Sequence, residues 1–166
     1  MSPKAIIVGA PGSGKTTVGR LLAKQLGVAF RDTDVDIEKS AGKSITDIFV
    51  DDGEANFRVR EVEAIALAVA EHDGVLALGG GAVLSEATRS LLKGLPVVWL
   101  QVDLTNAAQR VGLNTSRPLL LGNVRGTLKK LMDEREHLYA QVAFLTVNTT
   151  DRTPQVVVDE IAEAIQ

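Results

Sequence analysis

The chain has 166 residues, a net charge of −3 at pH 7, no cysteine and two histidines, His72 and His137. That inventory excludes disulfides and thiolate metal sites, leaves too few imidazoles for a zinc site built unaided, and argues against a general nucleic-acid binder. The length suits one domain over 1–166, and no apolar run nears the ~18 residues of a membrane span and no leader-like segment stands out, so a cytoplasmic monomer is expected, with small-molecule partners, no nucleic acid and no membrane.

The first element is a buried strand, "KAIIV" at 4–8, which runs into "GAPGSGKT" at 9–16. This stretch satisfies G-x-x-x-x-G-K-[ST] between a strand and a helix, the context its mechanism requires. Glycines let backbone N–H groups curl around a phosphate, the helix N-terminus adds its positive end, Lys15 supplies a point charge, and the Thr16 hydroxyl can ligate Mg²⁺. Gly12, Ser13, Gly14, Lys15, Thr16 and Thr17 are therefore the expected contacts to the phosphates of a nucleotide such as ATP. A plain Gly-rich turn would need neither the lysine nor the threonine. The helix follows from Val18, Leu21, Leu22 and Leu26 at spacings of three and four, with Gly27 as its stop.

A second strand is read at 28–32 and ends in "DTD". Asp32 and Asp34 then fall at the carboxyl end of a parallel strand, where open α/β sheets bind ligands. Alternation along that strand would set both on one side, Asp32 serving the hydrated metal through water and Asp34 reaching an acceptor hydroxyl. Either could instead cap a helix beginning in "VDIEKSAG".

The third strand, 75–78, closes in Gly79, Gly80 and Gly81. Many P-loop NTPases carry an acidic residue there for Mg²⁺, so the metal's acidic partner moves to Asp32. Three glycines bring bare backbone close to a ligand, whereas a tight turn alone would need one or two. A fourth strand at 96–102 holds Trp99 as core. The segment 112–126 then breaks the alternation, with four glycines or prolines around Arg117. Such a segment can close over a site, exclude water and bring a planar cation to a transferring phosphoryl group. A last strand at 144–148 and an apolar stripe on Val157, Val158, Ile161, Ala162 and Ile165 end the chain. Strand and helix alternate in the manner of a three-layer αβα domain with a mainly parallel, five-stranded sheet. Both histidines read as exposed helix residues.

With the phosphate loop, "DTD", "FRVRE" at 57–61, "LGGGAV", "NTSRPLL", "REHLY" at 135–139 and "DRTP" at 151–154, the chain resembles the shikimate kinases over nearly its whole length. The resemblance implies a P-loop NTPase fold with a lid at about 112–126. It implies transfer of a phosphoryl group from ATP, with Mg²⁺, to the 3-hydroxyl of shikimate in the route to chorismate and the aromatic amino acids. By the same resemblance Arg58 and Arg135 bind the shikimate carboxylate, and Asp34 binds ring hydroxyls and serves as candidate base. Gly79, Gly80 and Gly81 line the acceptor site, Glu61 holds Arg58, and Phe49 and Phe57 wall the pocket. Arg110 and Pro154 sandwich adenine with Arg152 nearby, and Arg117 reaches the ATP phosphates, so Asp34, Lys15 and Arg117 form the implied catalytic set.

Two other readings share part of this evidence. A nucleoside monophosphate kinase or gluconokinase keeps the fold and changes the acceptor, but a nucleobase site would not want two cations. A nucleotide-dependent switch would leave the arginines and the glycine triplet without a task.

Overall fold

The computed structural model describes residues 2–112 and 123–165. Five strands, β1 (Ala5–Val8), β2 (Phe30–Asp32), β3 (Val75–Ala77), β4 (Val97–Gln101) and β5 (Leu145–Asn148), form one sheet in the order β2-β3-β1-β4-β5. Every pairing is parallel. Seven helices accompany them among the described residues: α1 (Lys15–Leu26), α2 (Thr33–Ala41), α3 (Ile45–Glu71), α4 (Glu86–Leu92), α5 (Leu104–Gly112), α6 (Val124–Val142) and α7 (Pro154–Ile165).

The apolar runs are continuous because the central strands are covered on both faces. Ala5 and Ile7 join Val98 and Leu100 in a core closed by α1 and α7, through Val18, Leu22, Val158 and Ile161. Ile6 and Val8 join Val97 and Trp99 in the opposite core, against Ile65 of α3, Leu92 of α4 and Tyr139 of α6. Alternation along each strand thus separates two cores, and the αβα layering follows. Strand ends fall one or two residues inside the sequence expectation, at Phe30 rather than 28 and at Ala77 rather than 78.

The sheet places β3 on one side of β1 and β4 on the other, so crossovers diverge at β1 and open a crevice at the strands' carboxyl edge. Register brings the chemistry there. Asp32 and Ile7 both pair with Ala77, so "DTD", the phosphate loop and the glycine triplet leave the sheet side by side.

Two features go beyond the elements expected from the sequence. α3 is broken at Gly53, whose φ of 84° and ψ of 165° no helix contains. Phe49 and Phe57, eight positions apart, would stand about 12 Å apart along a straight helix. The break folds them together, with ring centroids at 4.9 Å. The second feature concerns the ends of 112–126. Gly112 ends α5 and Val124–Gly126 belong to α6, which Asn123 caps by accepting from the Gly126 N–H at 3.0 Å. The rest of the expected lid, Arg117 included, lies outside the described residues. No helix among those described is long and apolar enough to cross a membrane.

Candidate active site

The loop after β1 needs glycine where it turns. Gly9 and Gly12 have φ of 155° and 81°, and a Cβ on either would meet a backbone oxygen, of Leu100 at 2.7 Å or of Ala107 at 2.6 Å. Lys15 is buried and its Nζ donates to the carbonyls of Gly9 at 2.9 Å and Ala10 at 3.1 Å. A cavity of about 330 Å³ opens at the N-terminus of α1, lined by Gly12, Gly14, Lys15, Thr16, Thr17 and Arg110. Arg110 reaches it from α5, donating to the carbonyls of Gly12 at 3.1 Å and Thr149 at 3.3 Å.

Three expected nucleotide residues do not line this cavity. Ser13 is fully buried beneath the loop, its hydroxyl without a hydrogen-bond partner among the described residues. Arg152 donates to the Asn148 carbonyl at 2.7 Å and to Glu160 at 2.8 Å, and Pro154 opens α7. Neither Arg152 nor Pro154 is among the described residues that line the cavity.

A second cavity, about 320 Å³, lies beside the loop. It gathers Asp32, Asp34, Arg58, Gly79, Gly80, Gly81 and Arg135 onto one surface, with Phe49 and Phe57 on its wall and Pro11 of the phosphate loop at its edge. The two aspartates arrive there by different means from those the strand pattern suggests. Asp32 is the last residue of β2 and the N-cap of α2, accepting from the Asp34 N–H at 2.9 Å, while Asp34 sits in the first turn of that helix. The strand-to-helix turn, rather than strand alternation, sets both carboxylates on the cavity, and capping and lining coexist in Asp32.

Arg58 is held from its own helix. It donates to Glu61 at 2.9 Å and to Glu54 at 3.3 Å, and its guanidinium lies 5.2 Å from the Phe57 ring centre. Glu61 is only 3 % exposed. Burial raises its pKa above the ordinary carboxylate value, against the opposing pull of the Arg58 and Arg135 cations and with help from the nearby Asp34. Arg135 is equally buried, and its Nε finds no hydrogen-bond partner among the described residues. A buried guanidinium on a cavity wall is a receptor for an anion.

Each of the three glycines clears a different neighbour. A Cβ on Gly79 would stand 2.8 Å from Asp34 Oδ1, one on Gly80 would stand 3.1 Å from Pro11 Cδ, and one on Gly81 would strike the Arg58 guanidinium. The triplet is thus the clearance that lets an acid, the phosphate loop and a cation crowd one backbone stretch. Tyr139 stands behind it, a residue whose role the sequence left unassigned although it lies one turn beyond Arg135. Its hydroxyl donates to the Gly80 carbonyl at 2.6 Å. His72 corrects another expectation: it ends α3 half-buried, its Nε2 3.2 Å from the Ala29 carbonyl and 3.0 Å from that of Val75. His137 is exposed on α6, as expected.

An oxygen-donor pair, the Thr16 hydroxyl in one cavity and the Asp32 carboxylate in the other, suits a hard cation. No cluster of three or more His, Cys, Asp or Glu side chains with metal-binding geometry exists among the described residues. A cation held here would take most of its ligands from a bound phosphate and water, as Mg²⁺ commonly does.

Residues 11–166 match the family described as shikimate kinase. A shikimate kinase of Salinispora arenicola is 57 % identical over 162 residues, spanning 98 % of this chain and 97 % of its own. One from Saccharopolyspora erythraea is 57 % identical over 166 residues, spanning 99 % and 95 %. Among solved structures, the Acinetobacter baumannii shikimate kinase in complex with shikimate superposes with a TM-score of 0.94 at 36 % identity, covering 99 % of this chain and 93 % of that one.

Proposed function

The chain belongs to the shikimate kinase family, and from that premise we propose that it transfers the γ-phosphoryl group of ATP to the 3-hydroxyl of shikimate, yielding shikimate 3-phosphate and ADP on the route to the aromatic amino acids. The observation that carries the reading is the convergence of Asp34, Arg58, Arg135 and the 79–81 backbone on a cavity whose edge, Pro11, is part of the phosphate loop. Donor and acceptor then sit on either side of one turn of chain, which is the positioning that phosphoryl transfer asks of a protein.

Shikimate is a carboxylate with three ring hydroxyls. Arg58 and Arg135 take the carboxylate, each charge-assisted bond worth roughly 1.5–3 kcal/mol. Glu61 fixes the Arg58 end of that pair in advance, so less ordering is left for binding. Asp34 accepts from the reacting hydroxyl, aligns its oxygen with the phosphoryl group and takes its proton as the new P–O bond forms. Gly80 and Gly81 offer backbone donors to the ring. Lys15, with the N–H groups of the loop, holds the β- and γ-phosphates, and Gly12, Ser13, Gly14, Thr16 and Thr17 complete that cradle. Thr16 directly and Asp32 through water would hold Mg²⁺, which when bound neutralises phosphate charge during transfer. Arg110 borders the nucleotide, and by family resemblance Pro154 and Arg152 approach its base while Arg117 closes on the phosphates. The protein is read as a cytoplasmic monomer of one domain, served by small molecules alone.

The test is direct: purified protein and MgATP with shikimate, gluconate or a nucleoside monophosphate, scored by ADP release. Release stimulated by shikimate alone is expected. Equal stimulation by gluconate or a nucleotide, or release independent of any acceptor, would overturn the assignment.

A further inference from the structure

Tyr139 is buried to 2 % exposure and lines neither cavity, yet its hydroxyl makes one of the shortest side-chain hydrogen bonds among the described residues, 2.6 Å to the Gly80 carbonyl, across 59 residues of sequence. A trans peptide sends its C=O and N–H in opposite directions, so whatever grips the Gly80 oxygen also aims the Gly81 N–H. The peptide bonds are all trans among the described residues. Gly80 and Gly81 both line the acceptor cavity, and Gly80 also packs against Pro11 of the phosphate loop. Glycine by itself would not hold that plane, since it has the widest conformational freedom of any residue.

We propose that Tyr139 is a positioning residue for the acceptor: it draws the Gly80 carbonyl toward α6 and so turns the Gly81 N–H toward the bound hydroxylated acid. The proposal rests on the functional reading above. Tyr139 follows Arg135 by one helical turn, so a single face of α6 supplies the carboxylate receptor and the brace for the hydroxyl-binding backbone. Trp99 packs against the Tyr139 ring at 5.8 Å between centroids. Burial pushes the hydroxyl's pKa up to about 12, so at neutral pH it keeps the proton that it donates.

Steady-state kinetics of wild type, Tyr139→Phe and Trp99→Phe test this, alongside their melting temperatures. Tyr139→Phe keeps the ring and removes the hydroxyl, with its bond to the Gly80 carbonyl and its contact with Arg135. It should lower kcat/KM for shikimate about tenfold, the cost of stranding one buried acceptor, while the KM for ATP stays at the wild-type value. Trp99→Phe loosens the packing without touching the bond and should lower the melting temperature with shikimate kinetics little changed. An unchanged shikimate kcat/KM in Tyr139→Phe would overturn the proposal. So would equal changes in the ATP and shikimate constants, or a Trp99→Phe enzyme with the same acceptor defect, because each assigns Tyr139 to packing alone. A wild-type enzyme with no shikimate-dependent ADP release would sink the functional reading first and separately.

Discussion

Gly81 shows how much chemistry one missing methyl group carries. Its backbone, at φ −94° and ψ 5°, would accept alanine without strain, but the new Cβ would take space now held by the Arg58 guanidinium. That obstacle is the far end of a flexible side chain, so the fold should survive and the arginine should move. Gly81→Ala is accordingly expected to melt near wild type, bind ATP normally and lose roughly ten- to a hundredfold in kcat/KM for shikimate, the equivalent of one charge-assisted bond. Steady-state kinetics and a thermal melt decide it; an unaltered shikimate constant would mean that Arg58 does not act where it stands. Glu61 supplies a pH signature. Its folded pKa is raised above the ordinary 4.5, chiefly by burial, so the native state binds its proton more tightly than the unfolded chain does. Its contribution to stability is then fully present below pH 4.5 and is lost as pH rises through the raised folded value. Glu61→Gln removes that titration. The stability of wild type relative to Glu61→Gln should therefore decline as pH rises above about 4.5, measured by denaturant unfolding at several pH values. A difference that grows over this range would reverse the sign and rule out burial as the dominant influence on this carboxyl.

Among the elements, the broken helix α3 does most to shape the acceptor wall. A Cβ at Gly53 would meet nothing within 4 Å, so an alanine there costs only backbone strain at a φ of 84° and a ψ of 165°. Gly53→Ala should lose roughly 1–3 kcal/mol of stability, read from denaturant midpoints, and raise the KM for shikimate as Phe49 leaves Phe57. A midpoint equal to wild type would show that the helix break tolerates a side chain. The sequence marks this break only faintly: in "VDDGEANF" the Asp52-Gly53 pair is a turn signal, but it stands alone between stretches of helical spacing, with no proline beside it. The five strands were legible for the opposite reason. Burial on both faces writes itself into the chain as short unbroken apolar runs, and only their ends, set by local hydrogen bonding, drift by a residue or two. The role of "DTD" was half legible: its place at the sheet edge could be read, but the switch from strand to helix between Asp32 and Asp34 depends on how the chain turns at that edge.

Across the full chain, a purely local motif announced the phosphate cradle, since Gly9 to Thr16 perform their task within eight consecutive residues. The acceptor cavity is assembled from four distant stretches, so its members could be listed from a family resemblance but their contacts could not. The bond from Tyr139 to Gly80 and the crowding of Gly79 against Asp34 and Glu61 exist only because parallel pairing sets β2, β3 and β1 flush at one edge. On the proposed function, acceptor choice turns on the two arginines in that cavity, Arg58 and Arg135, reading a carboxylate. Comparing ADP release driven by shikimate with that driven by its methyl ester isolates their effect, because the ester keeps every hydroxyl and removes the charge. Its kcat/KM should fall roughly a hundredfold or more, from the loss of two charge-assisted bonds; an ester that serves as well as the acid would mean that the arginines do not read the carboxylate at all.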